Sequence, residues 1–355
     1  MTVGQSAAPG PAGDAIARCR RLLEPALREA VSGLHPWGAR MAAFTLGWSD
    51  VDGRPADGDG GKHLRPAIAM LAAEAAGAPL EAGLPGAVAV ELVHAFSLVH
   101  DDIMDADERR RHRQALWKAY GVGPALLTGD ALLALAVARL AGTGEPMRHL
   151  SRALVELVQG QTRDLAFESR PWLGRDAVTV AEYEVMAAGK TGSLLAAAAA
   201  TGVALGGRPE LAETAWDMGC AFGVAFQIYD DVLGIWGDPA VTGKPIHSDL
   251  RRGKKTLPVL AVLSAGSPPA AELAAALDAA ALDGPASGDP APGHAAPDDD
   301  AVRHAARLVE HAGGRRAALD LAARHAASAL ELMDACLPGD TALRALCLTL
   351  VDRIR

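Results

Sequence analysis

Apolar residues recur at helical spacing along almost all of this 355-residue chain, from about Ala15 to the C-terminus. No Val/Ile/Thr-rich stretch alternates as a half-buried strand would. The pattern excludes sheet-based architectures and leaves a helical one. Half of the residues are hydrophobic but only 4% are aromatic, so Ala, Leu and Val must build the core, and the Ala and Leu among them favour helix. The expected fold class is all-α, with length enough for a large core. Helices are predicted over 15–32, 63–76, 83–105, 122–141, 146–168, 179–188, 191–205, 209–236, 255–265, 299–312, 313–335 and 340–354. Breaks fall at Gly77-Ala78-Pro79, Gly142-Thr143-Gly144 and Gly206-Gly207. Segment 1–13 reads as an unstructured tail, 14–355 as one domain, and the Pro/Gly/Ala-rich stretch 284–300 as a mobile insertion. Its Asp298-Asp299-Asp300 run is read as the acidic start of the next helix, not as a metal cluster.

Composition also removes function classes. A formal net charge of −9 and a pI near 5.7 argue against a nucleic-acid partner. Cys19, Cys220, Cys336 and Cys347 form no CxxC pair and read as thiols of a reducing cytoplasm. Residues 1–13 lack the basic and apolar regions of a signal peptide. The weakly polar run 191–207 is too short and Gly-broken to span a bilayer, so a buried core helix is expected there and not an integral membrane protein.

Two acidic clusters interrupt this apolar background: His100-Asp101-Asp102-Ile103-Met104-Asp105, and Phe226-Gln227-Ile228-Tyr229-Asp230-Asp231. Residues four apart on a helix lie about 40° apart around the axis and roughly 6 Å along it, so Asp101 and Asp105 share a face. Two parallel carboxylates repel unless a cation lies between them. The plain alternative is a solvated acidic helix end, but the apolar run 88–99 before the cluster places the acids at the bottom of a cavity. Arg109, Arg110, Arg111 and Arg113 follow at once. They either neutralise the aspartates structurally or, with their bidentate forks, hold an anion that the metal also touches. Acid and base packed together imply a ligand carrying several phosphate charges. Gly-Lys pairs recur at Gly61-Lys62, Gly243-Lys244 and Gly253-Lys254, each a weak phosphate-binding signal alone. Lys62 and Arg65 share a face at a helix start, where an ordinary solvated basic turn is the competing reading.

In order, the segments Gly60-Gly61-Lys62-His63-Leu64-Arg65-Pro66, the first acidic cluster with its arginines, Lys190-Thr191, the second acidic cluster and 243–258 resemble the trans-isoprenyl diphosphate synthase (polyprenyl synthetase) family, of the short-chain type. The resemblance implies a helical bundle around a deep apolar cavity, usually a homodimer. The implied activity joins isopentenyl diphosphate to an allylic diphosphate with three Mg²⁺ ions. Carried over by position, Asp101, Asp105 and Asp230 would hold metal, with Asp102 and Asp231 in support. Arg110, Lys190 and Lys244 would contact the allylic diphosphate, and Lys62, Arg65, His94 and Arg111 the isopentenyl diphosphate. Thr191 and Gln227 would flank the allylic cation, and Lys254 would sit in a loop closing over the site.

The chain departs from the family pattern at several points. Gly234 stands where the second cluster usually carries a third acid, with Asp238 one turn further as a partial substitute. His63, His112, Gln114-Ala115 and His247 replace commoner residues. Weaker metal binding or altered substrate choice is the expectation at Gly234. Phe96 and Ser97, five and four residues before Asp101, are the candidate chain-length residues; an aromatic there resembles synthases that stop near C20 or below, geranylgeranyl diphosphate first and farnesyl diphosphate second. Mere core packing is the competing reading for Phe96. Two other functions fit parts of the pattern: a class I terpene cyclase-like enzyme, which would not need the second diphosphate site, and a non-catalytic regulatory subunit of a heteromeric synthase. The tail could dock to a partner, against the simpler reading of a loose end.

Overall fold

The computed structural model describes residues 11–56, 63–110, 113–239, 246–266, 268–281, 299–339 and 341–352. The chain is a helical bundle. Its helices are α1 (Pro11–Ser32), α2 (Pro36–Thr45), α3 (Leu64–Ala75), α4 (Leu84–Met104), α5 (Leu116–Tyr120), α6 (Val122–Leu140), α7 (Glu145–Glu168) and α8 (Val180–Ala187). After these come α9 (Ser193–Leu205), α10 (Ala212–Trp236), α11 (Ser248–Arg251), α12 (Leu257–Ser264), α13 (Pro268–Ala281), α14 (Asp299–His311), α15 (Gly314–Cys336) and α16 (Ala342–Asp352). A π-helical turn, Ala188–Gly192, joins α8 to α9.

The Ala-rich run of α9 makes it the axis of the bundle. Every side chain from Ser193 to Val203 is buried, and α3, α4, α7 and α10 pack around it. Small side chains allow this crowding: a Cβ on Gly202 of α9 would lie 2.3 Å from Ala69 O of α3. Outside this ring, α6 packs on α4, and α15 on α10. A second apolar cluster, including Ile235, Leu250, Val259, Leu273, Val302 and Val309, joins α11–α14 to the end of α10. Fully buried side chains such as Leu92, Leu132, Leu150, Leu195 and Trp216 hold the bundle together. Each buried Leu contributes about 1.5–3 kcal/mol, against about 0–1 for an exposed ion pair such as Arg28–Glu24.

Among the described residues, three helical spans are long and apolar enough to cross a membrane by length and composition: Leu80–Met104, Val122–Leu140 and Pro209–Trp236. The apolar windows of the first and third are 61% and 56% buried within the fold, that of the second only 28%. Val122, Leu126 and Leu127 of α6 are exposed.

The sequence-predicted helices appear with ends shifted by a few residues. α1 begins at Pro11, inside the segment expected to be an unstructured tail. The short helices α2, α5 and α11 and the Ala-rich α13 escape the periodicity: α5 and α11 span only 5 and 4 residues, and in α2 and α13 the Pro near the start reads as a turn, while Pro in fact fits a first helical turn. A two-residue antiparallel ladder, β1 (Arg109–Arg110) with β2 (Arg113–Gln114), is also unexpected. No apolar alternation marks it; Arg113 Nη2 instead anchors it by donating to Ser49 O at 2.5 Å. Asp299 and Asp300 do open a helix, in the first turn of α14, where Asp299 pairs with Arg251 at 2.5 Å. The remainder of the expected tail (1–10) and insertion (284–298) lies outside the described residues.

Candidate active site

The first cluster sits where α4 ends. Asp105 is its C-cap residue, so Asp101 and Asp105 occupy its final turn. Burial pushes the Asp101 carboxyl up, with Lys190 opposing and Asp105 reinforcing the shift. Burial acts on Asp105 too, but Lys254, Lys190 and Arg252 outweigh it and hold this carboxyl below its usual range. Lys254 Nζ lies 3.2 Å from Asp105 Oδ2. Asp102 turns aside into the core, where Arg110 of β1 clamps its Oδ1 through Nε at 2.7 Å and Nη2 at 2.6 Å. Arg252 pairs with buried Asp107 beside it.

The second wall is α10. Asp230 is exposed and Asp231 is buried. Asp231 accepts hydrogen bonds from Tyr183 Oη at 2.6 Å, the Leu257 backbone N–H at 3.0 Å and Gln227 Nε2 at 2.9 Å. Burial drives its carboxyl up to about 7, against these hydrogen bonds. It therefore acts as a joint tying α8, α10 and the start of α12 together. Thr179 and Glu182 form a reciprocal cap on α8, which sets the height of Tyr183.

Lys190 and Thr191 come from the π-turn. Lys190 Nζ pairs with Asp164 of α7 at 2.5 Å, and Thr191 Oγ1 donates to Gln227 Oε1 at 2.5 Å. Glycines let this turn sink between its neighbours. A Cβ on Gly160 of α7 would lie 2.1 Å from Lys190 N, and one on Gly223 of α10 would lie 2.2 Å from Gly192 Cα. The π-bulge redirects both side chains toward the acidic walls.

Further down α4, His94 Nε2 lies 3.4 Å from Arg65 Nη1 of α3. His63 adopts a left-handed conformation (φ 44°) before α3 and places Nδ1 3.2 Å from Glu91 Oε1, a role its residue type alone does not announce. Phe96 packs edge-on against His100, with centroids 4.7 Å apart, and Ser97 Oγ donates to His94 O at 2.9 Å. Lys62, Arg111 and Lys244 lie outside the described residues. At the end of α10, the carboxylate of Asp249 lies against Gly234, while Asp238 is exposed beyond the helix. Sequence reasoning missed Asp164, Glu168, Tyr183 and Arg252, and quoted Asp249 only as part of the 243–258 motif. Each comes from an element whose place in the fold, and not its local spacing, brings it to the site. Burial raises the Glu168 carboxyl, and the same residue senses Lys254, Asp105 and Asp164.

The donor set suits a hard divalent cation: carboxylate oxygens of half-buried Asp101 and Asp105 and exposed Asp230, with lysines beside the first two. Among the described residues, no three His, Cys, Asp or Glu side chains converge to enclose an ion alone. Mg²⁺ binds through one or two carboxylates and completes its shell with water and substrate phosphates.

Comparison with known proteins shows the family. The family model for polyprenyl synthetase matches residues 57–283. A (2E,6E)-farnesyl diphosphate synthase of Mycobacterium bovis is 43% identical over 318 residues, covering 88% of this chain and 84% of that protein. A geranylgeranyl diphosphate synthase of Mycobacterium tuberculosis is 42% identical over 267 residues, 73% of this chain and 75% of that one. The crystal structure of a polyprenyl synthetase from Streptomyces coelicolor superposes with a TM-score of 0.84 at 44% identity, covering 96% of this chain and 98% of that one. The chain belongs to the polyprenyl synthetase family. It is an all-α prenyl diphosphate synthase of the short-chain trans type, a transferase of prenyl groups.

Proposed function

We propose that the chain condenses isopentenyl diphosphate with an allylic diphosphate, using Mg²⁺, to give an all-trans product of C15–C20, geranylgeranyl diphosphate first. The observation that carries this reading is the half-buried Asp101–Asp105 face with Lys190 and Lys254 beside it. In this reading the carboxylates of the two walls and the charges of the two lysines surround one space. When bound, Mg²⁺ (three ions in this reading) neutralises the allylic diphosphate so that it can depart. Asp101, Asp105 and Asp230 hold it, while Asp102 and Asp231 brace the walls through Arg110 and Tyr183. Lys190, Lys244 and Arg110 receive the departing diphosphate. Arg65 and His94, with Lys62 and Arg111, hold isopentenyl diphosphate.

The allylic C–O bond breaks with its electron pair on the diphosphate. The isopentenyl double bond attacks the resulting cation, one C–C bond forms, and the proton lost from the adduct goes to the released diphosphate. Thr191 Oγ1 and Gln227 Oε1 face the cation as oxygen dipoles. In this reading an aromatic-poor apolar lining keeps water from it.

Phe96 supports a short product, and relatives bearing farnesyl and geranylgeranyl names bracket the range. The exposed apolar face of α6, with Val122, Leu126 and Leu127, is assigned to a second copy of this chain in a homodimer. A cytoplasmic location accords with the four unpaired thiols. Incubating the purified chain with Mg²⁺, isopentenyl diphosphate and each allylic starter, then sizing the dephosphorylated products, tests the reading. Products of C15–C20 are expected; products beyond C25 sink the length assignment. Sedimentation of the same sample as a monomer at micromolar concentration sinks the dimer.

A further inference from the structure

The stretch 252–256 faces two ways. Arg252 pairs with Asp107, and Lys254 Nζ lies 3.2 Å from Asp105 Oδ2, so these two side chains reach the first acidic wall. The alternate positions turn to the opposite side. Lys255 Nζ stands 3.1 Å from the centroid of the Trp172 ring, and a Cβ built on Gly253 (φ 63°) would lie 4.0 Å from Trp172 Cζ2. Lys255 and Trp172 are each 8% exposed, so water competes little for this contact.

Trp172 lies outside every segment on which the family resemblance rests. It sits in the loop between α7 and α8, and its surroundings are fixed. Arg170 holds that loop on itself, donating Nε to Asp176 O at 2.7 Å and Nη2 to Ala177 O at 2.8 Å, and pairs with Glu182 of α8 at 2.8 Å. The indole belongs to the second apolar cluster, with Ile235, Leu250 and Val259. On the other side, the Leu257 N–H bond to Asp231 ties the exit of 252–256 to the second wall. Among the described residues no carboxylate pairs with Lys255, and Asp278 acts on it only from a distance. The negative face of the indole is the partner this ammonium has.

We propose that Trp172 is a positioning residue for Lys254: by holding Lys255 on its ring face, it fixes the backbone of 252–256 so that Lys254 projects toward the first acidic wall. Lysine carries its charge on a flexible four-carbon stem, so the backbone must be held if Nζ is to stay where charge develops on the departing diphosphate. Trp172 touches no substrate in this account. It acts through Lys255 and the peptide bond between Lys254 and Lys255. The proposal rests on the reading that Lys254 faces the departing diphosphate.

The test is steady-state turnover of the full chain with Mg²⁺, isopentenyl diphosphate and an allylic diphosphate. It compares wild type, Lys255→Met, Trp172→Phe and Trp172→Leu, and adds Lys255→Met on a Lys254→Met background; thermal midpoints show which variants are folded at the assay temperature. Lys255→Met keeps the bulk and removes the charge, so kcat falls about 3–30-fold, the span of a cation–π contact, while KM for either substrate stays within about twofold. Trp172→Phe keeps a ring face and most of the turnover, whereas Trp172→Leu loses as much as Lys255→Met. Lys255→Met carries the test if Trp172→Leu does not fold. On the Lys254→Met background, Lys255→Met costs nothing further, a coupling that a merely structural contact would not produce. A Lys255→Met variant within about twofold of wild type in kcat overturns the proposal and leaves the synthase reading intact. An equal loss on both backgrounds does the same. A wild type that turns over nothing overturns the reading and the proposal together.

Discussion

Lys254 Nζ lies 3.2 Å from Asp105 Oδ2, so the loop after α11 is tied to the end of α4 by a cation set among carboxylates. Burial pulls the Lys254 ammonium down, but Asp105, Asp164 and Asp249 more than reverse this and hold it above its usual range.

Lys254→Met therefore removes a positive charge from the developing diphosphate. Turnover is expected to fall by about 10²–10³, the range for losing one preorganised electrostatic partner. Steady-state kinetics check it: kcat should carry the loss, and a variant within twofold of wild type would detach Lys254 from the chemistry.

The glycine contacts at the π-turn give a second outcome. Adding a methyl at Gly223 pushes against Gly192 Cα. Gly223→Ala should cost about 1–3 kcal/mol by overpacking. Because the strain falls on the turn carrying Lys190 and Thr191, activity should drop further than stability alone explains. Urea unfolding and kcat on the same preparation separate the two effects.

Lys255 points away from the acids. Its ammonium stacks on Trp172, 3.1 Å from the ring centroid, and burial lowers it to about 8, with Asp278 opposing. In the unfolded chain a lysine titrates near 10.4. Between about pH 8 and pH 10.4 the unfolded state then binds more protons than the native state, so this group's contribution to stability rises with pH in that window and is lost as pH falls through 8. Lys255→Met should remove that rise. Thermal midpoints at pH 7.5 and 9.5 check it: the wild-type gain across the interval should exceed that of the variant.

The fold was largely legible from periodicity, because long helices such as α4, α7 and α10 must present apolar stripes to α9. The first cluster was legible for the same reason: i, i+4 spacing puts Asp101 and Asp105 on one face whatever surrounds them. Asp231 was placed among metal-supporting residues, yet its partners Tyr183 and Leu257 N belong to other elements and leave no trace near it in the chain. Asp164 pairs with Lys190 only because Gly160 lets the π-turn approach α7. At Gly234 a missing acid was visible, but the approach of Asp249 to that position depends on how 247–249 folds back.

Phe96 offers the product-length outcome. Its ring packs against His100 one turn before the acidic face. Phe96→Ala should lengthen the product by at least one five-carbon unit, read by chromatography of the dephosphorylated alcohols. An unchanged product would leave Phe96 a packing residue.

The most direct measurement of the central claim is product formation from an allylic diphosphate with and without isopentenyl diphosphate, each with Mg²⁺ or with a chelator. A longer prenyl diphosphate should form only when isopentenyl diphosphate and Mg²⁺ are both present. Release of a hydrocarbon from the allylic diphosphate alone, or no turnover by the purified single chain under any condition, would contradict it.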